Sequence, residues 1–62
     1  MYLEFNRANK TMKIYNNEYR ENDLVCTLNC DEYLWLNAYS IKMYYNDVEI
    51  GTVKYVYYIR MK

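Results

Sequence analysis

Histidine and proline are missing from the chain altogether, glycine occurs once, at Gly51, and cysteine only twice, at Cys26 and Cys30. Without histidine there is no side chain whose ordinary pKa lies near neutrality, which removes the commonest acid–base catalyst and the commonest metal ligand. A single glycine cannot make a glycine-rich loop around a phosphate. Two cysteines cannot build the disulfide framework of a small secreted domain. Charge of one sign is lacking too: eight basic residues offset eight acidic ones, so no overall field draws the chain to nucleic acid or to an anionic membrane. No apolar run is long enough to span a bilayer, and the opening MYLEFNRANK lacks the apolar core of a signal peptide. These absences lead us to expect a non-enzymatic protein of the cytoplasm with no membrane contact.

Aromatic residues, in contrast, are abundant: ten Tyr, one Trp and one Phe among 62 residues. A chain of this length makes one domain, residues 1–62, in which chain entropy nearly cancels apolar burial. Rings that bury about 150–250 Å² each substitute for a large aliphatic core. Residues with AT-rich codons (Phe, Tyr, Met, Ile, Asn and Lys) make up more than half of the chain. The gene is therefore expected to be low in GC, as in a low-GC bacterium or one of its phages, and base composition by itself enriches tyrosine.

The pattern is mainly β, or small α+β. The expectation is a twisted antiparallel sheet of three to five strands with a C-terminal hairpin at 39–62 and at most one short helix near 30–37. Ile41, Met43 and Tyr45 alternate with Ser40, Lys42 and Tyr44 at the period of a strand. Asn46-Asp47 suits a two-residue turn, since both residues tolerate left-handed backbone angles. Beyond it the apolar positions change from even (Val48, Ile50) to odd (Val53, Tyr55, Tyr57, Ile59, Met61), with Gly51 at the switch. A β-bulge at Gly51 would keep all of them on one buried face. Further strands are expected at MYLEFN, from Thr11 towards Tyr19, and at Leu24–Leu28. In NCDEYLWLNAYS, Asn29 and Glu32 have the spacing of a capping box, which favours a helical turn at 30–37, although Tyr33, Trp35 and Tyr39 also fit a strand.

Three groups of residues could carry function. Glu18, Glu21, Asp23, Asp31 and Glu32 form an acidic middle between basic ends, a segment able to enter a basic groove made for phosphates. The plainer reading is a solvated loop and a helix cap that balance the basic termini. At the C-terminus, Lys54, Tyr58, Arg60 and Lys62 share the outer face of the expected strand. Rings among cations suit a single-stranded nucleic-acid platform or a protein-binding patch, while the plainer reading is an ordinary outer strand face whose lysine and arginine stems cover tyrosine rings. Cys26 and Cys30, four apart, read most simply as two ordinary buried thiols; they could also hold zinc with Asp23, Asp31 or Glu32, or with a second copy of the chain, or form a disulfide or redox pair. On an extended strand they would lie roughly 13 Å apart, too far to share a ligand. No cofactor is otherwise expected, though zinc is possible.

Small size, low-GC bias, aromatic excess, an acidic centre and absent catalytic chemistry resemble the small phage-encoded inhibitors of bacterial defence, notably the anti-CRISPR proteins acting on type II effector nucleases. The resemblance is one of general character over the whole chain, with no shared motif. It implies a non-catalytic protein-binding inhibitor of phage or mobile-element origin. Such an inhibitor would block a larger host protein such as a CRISPR effector nuclease, with Glu18, Glu21, Asp23, Asp31, Glu32, Tyr44 and Tyr58 as partner-binding residues. The alternatives are a single-stranded nucleic-acid-binding module and an oligomeric structural protein, the latter through strand-edge pairing, with a homodimer as its smallest form.

Overall fold

The structure, a computed structural model, describes residues 1–62 as seven strands and a single turn of 3-10 helix at Glu21–Asp23. The strands are β1 (Tyr2–Asn6), β2 (Thr11–Tyr15), β3 (Leu24–Asn29), β4 (Glu32–Asn37), β5 (Ser40–Tyr45), β6 (Val48–Lys54) and β7 (Tyr58–Met61). They form two sheets, a four-stranded one in the order β3-β2-β1-β7 and a three-stranded one in the order β4-β5-β6. All neighbours are antiparallel except β1 and β7, which run parallel. The fold is thus mainly β, as the sequence pattern implies. No helix is long and apolar enough to cross a membrane.

The alternation in YLEFN and TMKIY sends Leu3, Phe5, Met12 and Ile14 to one face, where they meet Ile41, Met43 and Val53 from the smaller sheet, together with Cys30 and Val56. Phe5 is fully buried, and its ring stands edge-on to that of Tyr33 at 5.3 Å. No buried side-chain nitrogen or oxygen lacks a hydrogen-bond partner.

The hairpin β5–β6 closes through Asn46 and Asp47, both with positive φ (51° and 65°), as a two-residue turn matched to strand twist requires. The expected bulge is present. Met43 pairs with Gly51 and Tyr44 with Glu49, which leaves Ile50 as the extra residue. Its effect differs from the expectation, because Val48 and Ile50 lie exposed on the near side of the bulge and only Val53 beyond it enters the core.

The segment 30–37 is a strand and not a helical turn. An eight-residue helix is marginal in water, whereas YLWL suits a pleated surface and gains a ladder with β5 from Glu32 to Asn37. The would-be capping residues Asn29 and Glu32 instead end β3 and begin β4. Asp31 Oδ2 accepts the Asn46 backbone N–H at 3.0 Å, and so braces the β5–β6 turn.

The hairpin expected at 39–62 ends at Lys54, because Tyr55 adopts a left-handed conformation (φ 62°) and breaks the alternation. Val56, which shares even parity with the outward set Lys54, Tyr58, Arg60 and Lys62, fills the core. Tyr55 and Tyr57, expected inside, are 66% and 74% exposed, and Met61 is exposed as well. The chain then crosses to the other sheet as β7 and lies beside β1.

Candidate functional site

The structure separates the acidic residues into two groups. Glu18, Glu21 and Asp23 lie in the β2–β3 connection, where Arg20 reaches both Glu18 and Asp23 at 3.2 Å. Asp31 and Glu32 lie beyond the far end of β3, six residues away, a span of roughly 20 Å. One continuous acidic face is therefore not formed.

The second group gains neighbours that sequence spacing does not reveal. The register of the smaller sheet sets Glu32, Tyr44 and Glu49 side by side across β4, β5 and β6. Opposite residues in an antiparallel pair project to the same side, so two carboxylates flank the Tyr44 ring on the outer face. Lys42 answers Glu49 at 3.4 Å. The β5–β6 turn brings in Asp47. Glu32, Tyr33, Leu34, Tyr44 and Asp47 together line an open depression of about 290 Å³. Carboxylates beside tyrosine rings in an open hollow provide both elements that recognise a guanidinium or ammonium group, opposite charge and an aromatic face. Asp47 was not among the candidates; its position in a turn between strands was the only available signal.

The basic and aromatic stripe is divided. Lys54 ends β6 in the smaller sheet, while Tyr58, Arg60 and Lys62 belong to or follow β7 in the larger one. Tyr58 is 59% exposed, but Arg60 is engaged. Its Nε and Nη2 both donate to Glu4 Oε1, and its guanidinium lies 3.9 Å from the centroid of the Tyr19 ring. Glu4, 5% exposed, faces Arg60 directly in the parallel register. Tyr19 folds back from the β2–β3 connection, stacks on Tyr2, meets Tyr15 edge-on and donates its hydroxyl to the Leu3 carbonyl at 2.7 Å. The bond to Glu4 raises the pKa of Arg60.

No three potential metal-ligating side chains come together, so the zinc set Cys26, Cys30 and Asp23 is not assembled. Both thiols are free. Cys26 packs against the core from β3, and buried Cys30 donates its Sγ–H to the Glu32 carbonyl at 3.2 Å. Iodoacetamide should therefore alkylate Cys26 well before Cys30 in the native protein, as mass spectrometry of a time course would show.

Burial pushes the Cys30 thiol above its ordinary 9.0 and the Tyr19 hydroxyl above its ordinary 10.0. The unfolded chain releases these protons first, so their contribution to stability is intact below about pH 9 and declines as pH rises from there towards the raised folded-state values. Burial lowers the pKa of the Met1 ammonium from its ordinary 8.0, so the melting temperature should rise slightly towards about pH 8 and fall above about pH 9. A melting temperature unchanged up to pH 11 would contradict this account.

No protein family, curated protein or solved structure matches the chain.

Proposed function

We propose that the chain is a non-catalytic protein-binding inhibitor of the anti-CRISPR kind, of phage or mobile-element origin, which acts in the bacterial cytoplasm by covering a functional surface of a larger protein such as a type II effector nuclease. The observation that carries this reading is the outer face of the smaller sheet, where Glu32, Asp47 and Tyr44 surround one open depression beside Asp31. An open hollow suits a side chain presented by a partner better than a substrate that must be enclosed. A basic side chain from a phosphate-binding groove fits its charge. The nucleic-acid alternative loses weight because Arg60, its central cation, is held by Glu4 and Tyr19.

The test is guided DNA cleavage by a purified type II effector nuclease, titrated with the protein. Inhibition should saturate at a fixed ratio of the two proteins. Glu32→Lys combined with Asp47→Lys should raise the half-inhibiting concentration about a hundredfold. Glu18→Lys combined with Glu21→Lys, at the other end of β3, should change it less than about threefold. Cleavage unaffected at any ratio would end the inhibitor reading. Equal sensitivity to the two charge reversals would move the site away from the depression. Retention of labelled single-stranded DNA by the protein alone, lost in Tyr58→Ala, would return the function to the C-terminal strand.

A further inference from the structure

Each sheet has two outer strands, and three of the four are blunted. β7 is four residues long and carries Arg60; β6 carries Glu49 and Lys54 and is bulged at Ile50; β3 is bulged at Val25, since Ile14 pairs with Cys26 and Tyr15 with Leu24. Charge, shortness and bulges are the usual protections of an exposed edge. β4 is protected least. It pairs with β5 alone, its ladder is regular from Glu32 to Trp35 before a shift at Leu36, and no charged residue occurs between Glu32 and Lys42. Leu34, Trp35 and Leu36 are 55%, 45% and 47% exposed. One side of this strand thus offers unpaired backbone N–H and C=O groups beneath large apolar side chains.

We propose that two copies of the chain pair antiparallel along β4, with Leu34 on the two-fold axis, and so extend the three-stranded sheet into one of six.

In this register Leu34 faces Leu34 of the second copy, Trp35 of each copy faces the other's Tyr33, and Glu32 faces the other's Leu36. Opposed residues have the same parity, so the inner faces of both copies stay on one side and the joined sheet is continuous. The pairing falls within the regular part of β4, and only its last position meets the shift at Leu36.

Charge selects this arrangement. The two Glu32 carboxylates fall four residues apart along the ladder, roughly 14 Å, beyond the screening length of about 8 Å at physiological salt. Parallel pairing would set them side by side. A second copy is also self-complementary in a way that an arbitrary strand is not, because its Tyr33, Leu34 and Trp35 supply apolar partners for the same three positions. The chain's formal net charge of zero leaves nothing to repel a copy. Association is edge to edge, and because Glu32, Tyr33 and Leu34 of the paired strand also line the depression, the contact borders both depressions of the dimer.

Trp35 is the only tryptophan and lies at the proposed contact, which makes its emission a direct readout. On dilution from millimolar to nanomolar the emission should shift to the red along one two-state curve. Sedimentation should follow the same curve, from twice the 7.7 kDa of one chain down to that mass. Leu34→Lys sets two ammonium groups face to face across the axis and should raise the dimer dissociation constant at least about tenfold, with the far-ultraviolet circular dichroism unchanged. Leu34→Cys should cross-link into a dimer under mild oxidation, whereas Val48→Cys, on exposed β6, should not. A monomer throughout, or a dimer that is unaffected by Leu34→Lys and does not cross-link through Leu34→Cys, would overturn the proposal. None of these readouts requires the nuclease, so the dimer can fail while the inhibitor reading stands, and the reverse.

Discussion

Phe5→Ala leaves most of the chain unfolded at room temperature. Phe5 is fully buried, in contact with Tyr33 and clustered with Leu3 and Met12, so it joins the two sheets. Truncating a buried phenylalanine costs about 3–5 kcal/mol, the lost transfer energy plus the cavity left behind. A single core in a domain this small supplies little more than about 3–5 kcal/mol in total. The two quantities are comparable, so the variant should lose its near-ultraviolet circular dichroism and its dispersed amide resonances. Val48→Ala, at a residue 62% exposed, should stay within about 0.5 kcal/mol of the parent. If Phe5→Ala unfolded cooperatively with a melting temperature within a few degrees of the parent, the two sheets would not depend on that ring.

Arg60→Ala produces the second large loss, and restoring neutrality recovers part of it. The Glu4 side chain is 7% exposed, and both of its hydrogen bonds from side chains come from Arg60. Removing the guanidinium takes from the buried Glu4 carboxylate both of these hydrogen bonds and leaves Lys13, opposite it on β2, as a nearby cation, and a buried charge without its hydrogen-bonded partner is worse than no charge at all. The melting temperature should fall on the order of 10 °C. Glu4→Gln added to Arg60→Ala should then raise it, the reverse of additive damage. Arg60→Lys should fall between parent and Arg60→Ala, since an ammonium keeps the charge but loses the planar fork and the stacking on Tyr19. If the double variant were less stable than Arg60→Ala alone, the carboxylate would not be stranded and the ion pair would not be what holds β7 to β1.

The elements that could be read from the chain are those set by neighbours in sequence. The alternation of Ile41, Met43 and Tyr45, the Asn46-Asp47 turn and the parity switch at Gly51 define β5, the turn, β6 and its bulge through local backbone geometry, which survives in the folded protein. Segment 30–37 misleads because two local signals compete. Asn29 and Glu32 resemble a helix cap, while Tyr33 and Trp35 fit a strand, and the partner that decides between them is β5. Residues 55–57 mislead for a related reason: odd parity continues without interruption through Tyr55, and no residue there announces a left-handed turn.

The candidate depression was half legible. Glu32 and Tyr44 were identified, one as part of an acidic run and the other as a tyrosine on an outward strand face, but twelve positions separate them and only the β4–β5 register makes them neighbours. The length of β3 separates from them Glu18, Glu21 and Asp23, which charge along the chain had grouped with Glu32.

Composition and short-range periodicity alone settle that this is one small, mainly β domain, because residue type and alternation act within a few positions of the backbone; the expected aromatic core is instead largely aliphatic, with Phe5 the one ring in its central cluster. Packing between distant segments settles the rest: the division into two sheets, the parallel placement of β7 beside β1, the entry of Val56 into the core, the capture of Arg60 by Glu4 and Tyr19, and the free edge of β4. Each of these depends on residues that become neighbours only when the sheets close on one another, and neither the distance nor the burial that decides them exists in the extended chain.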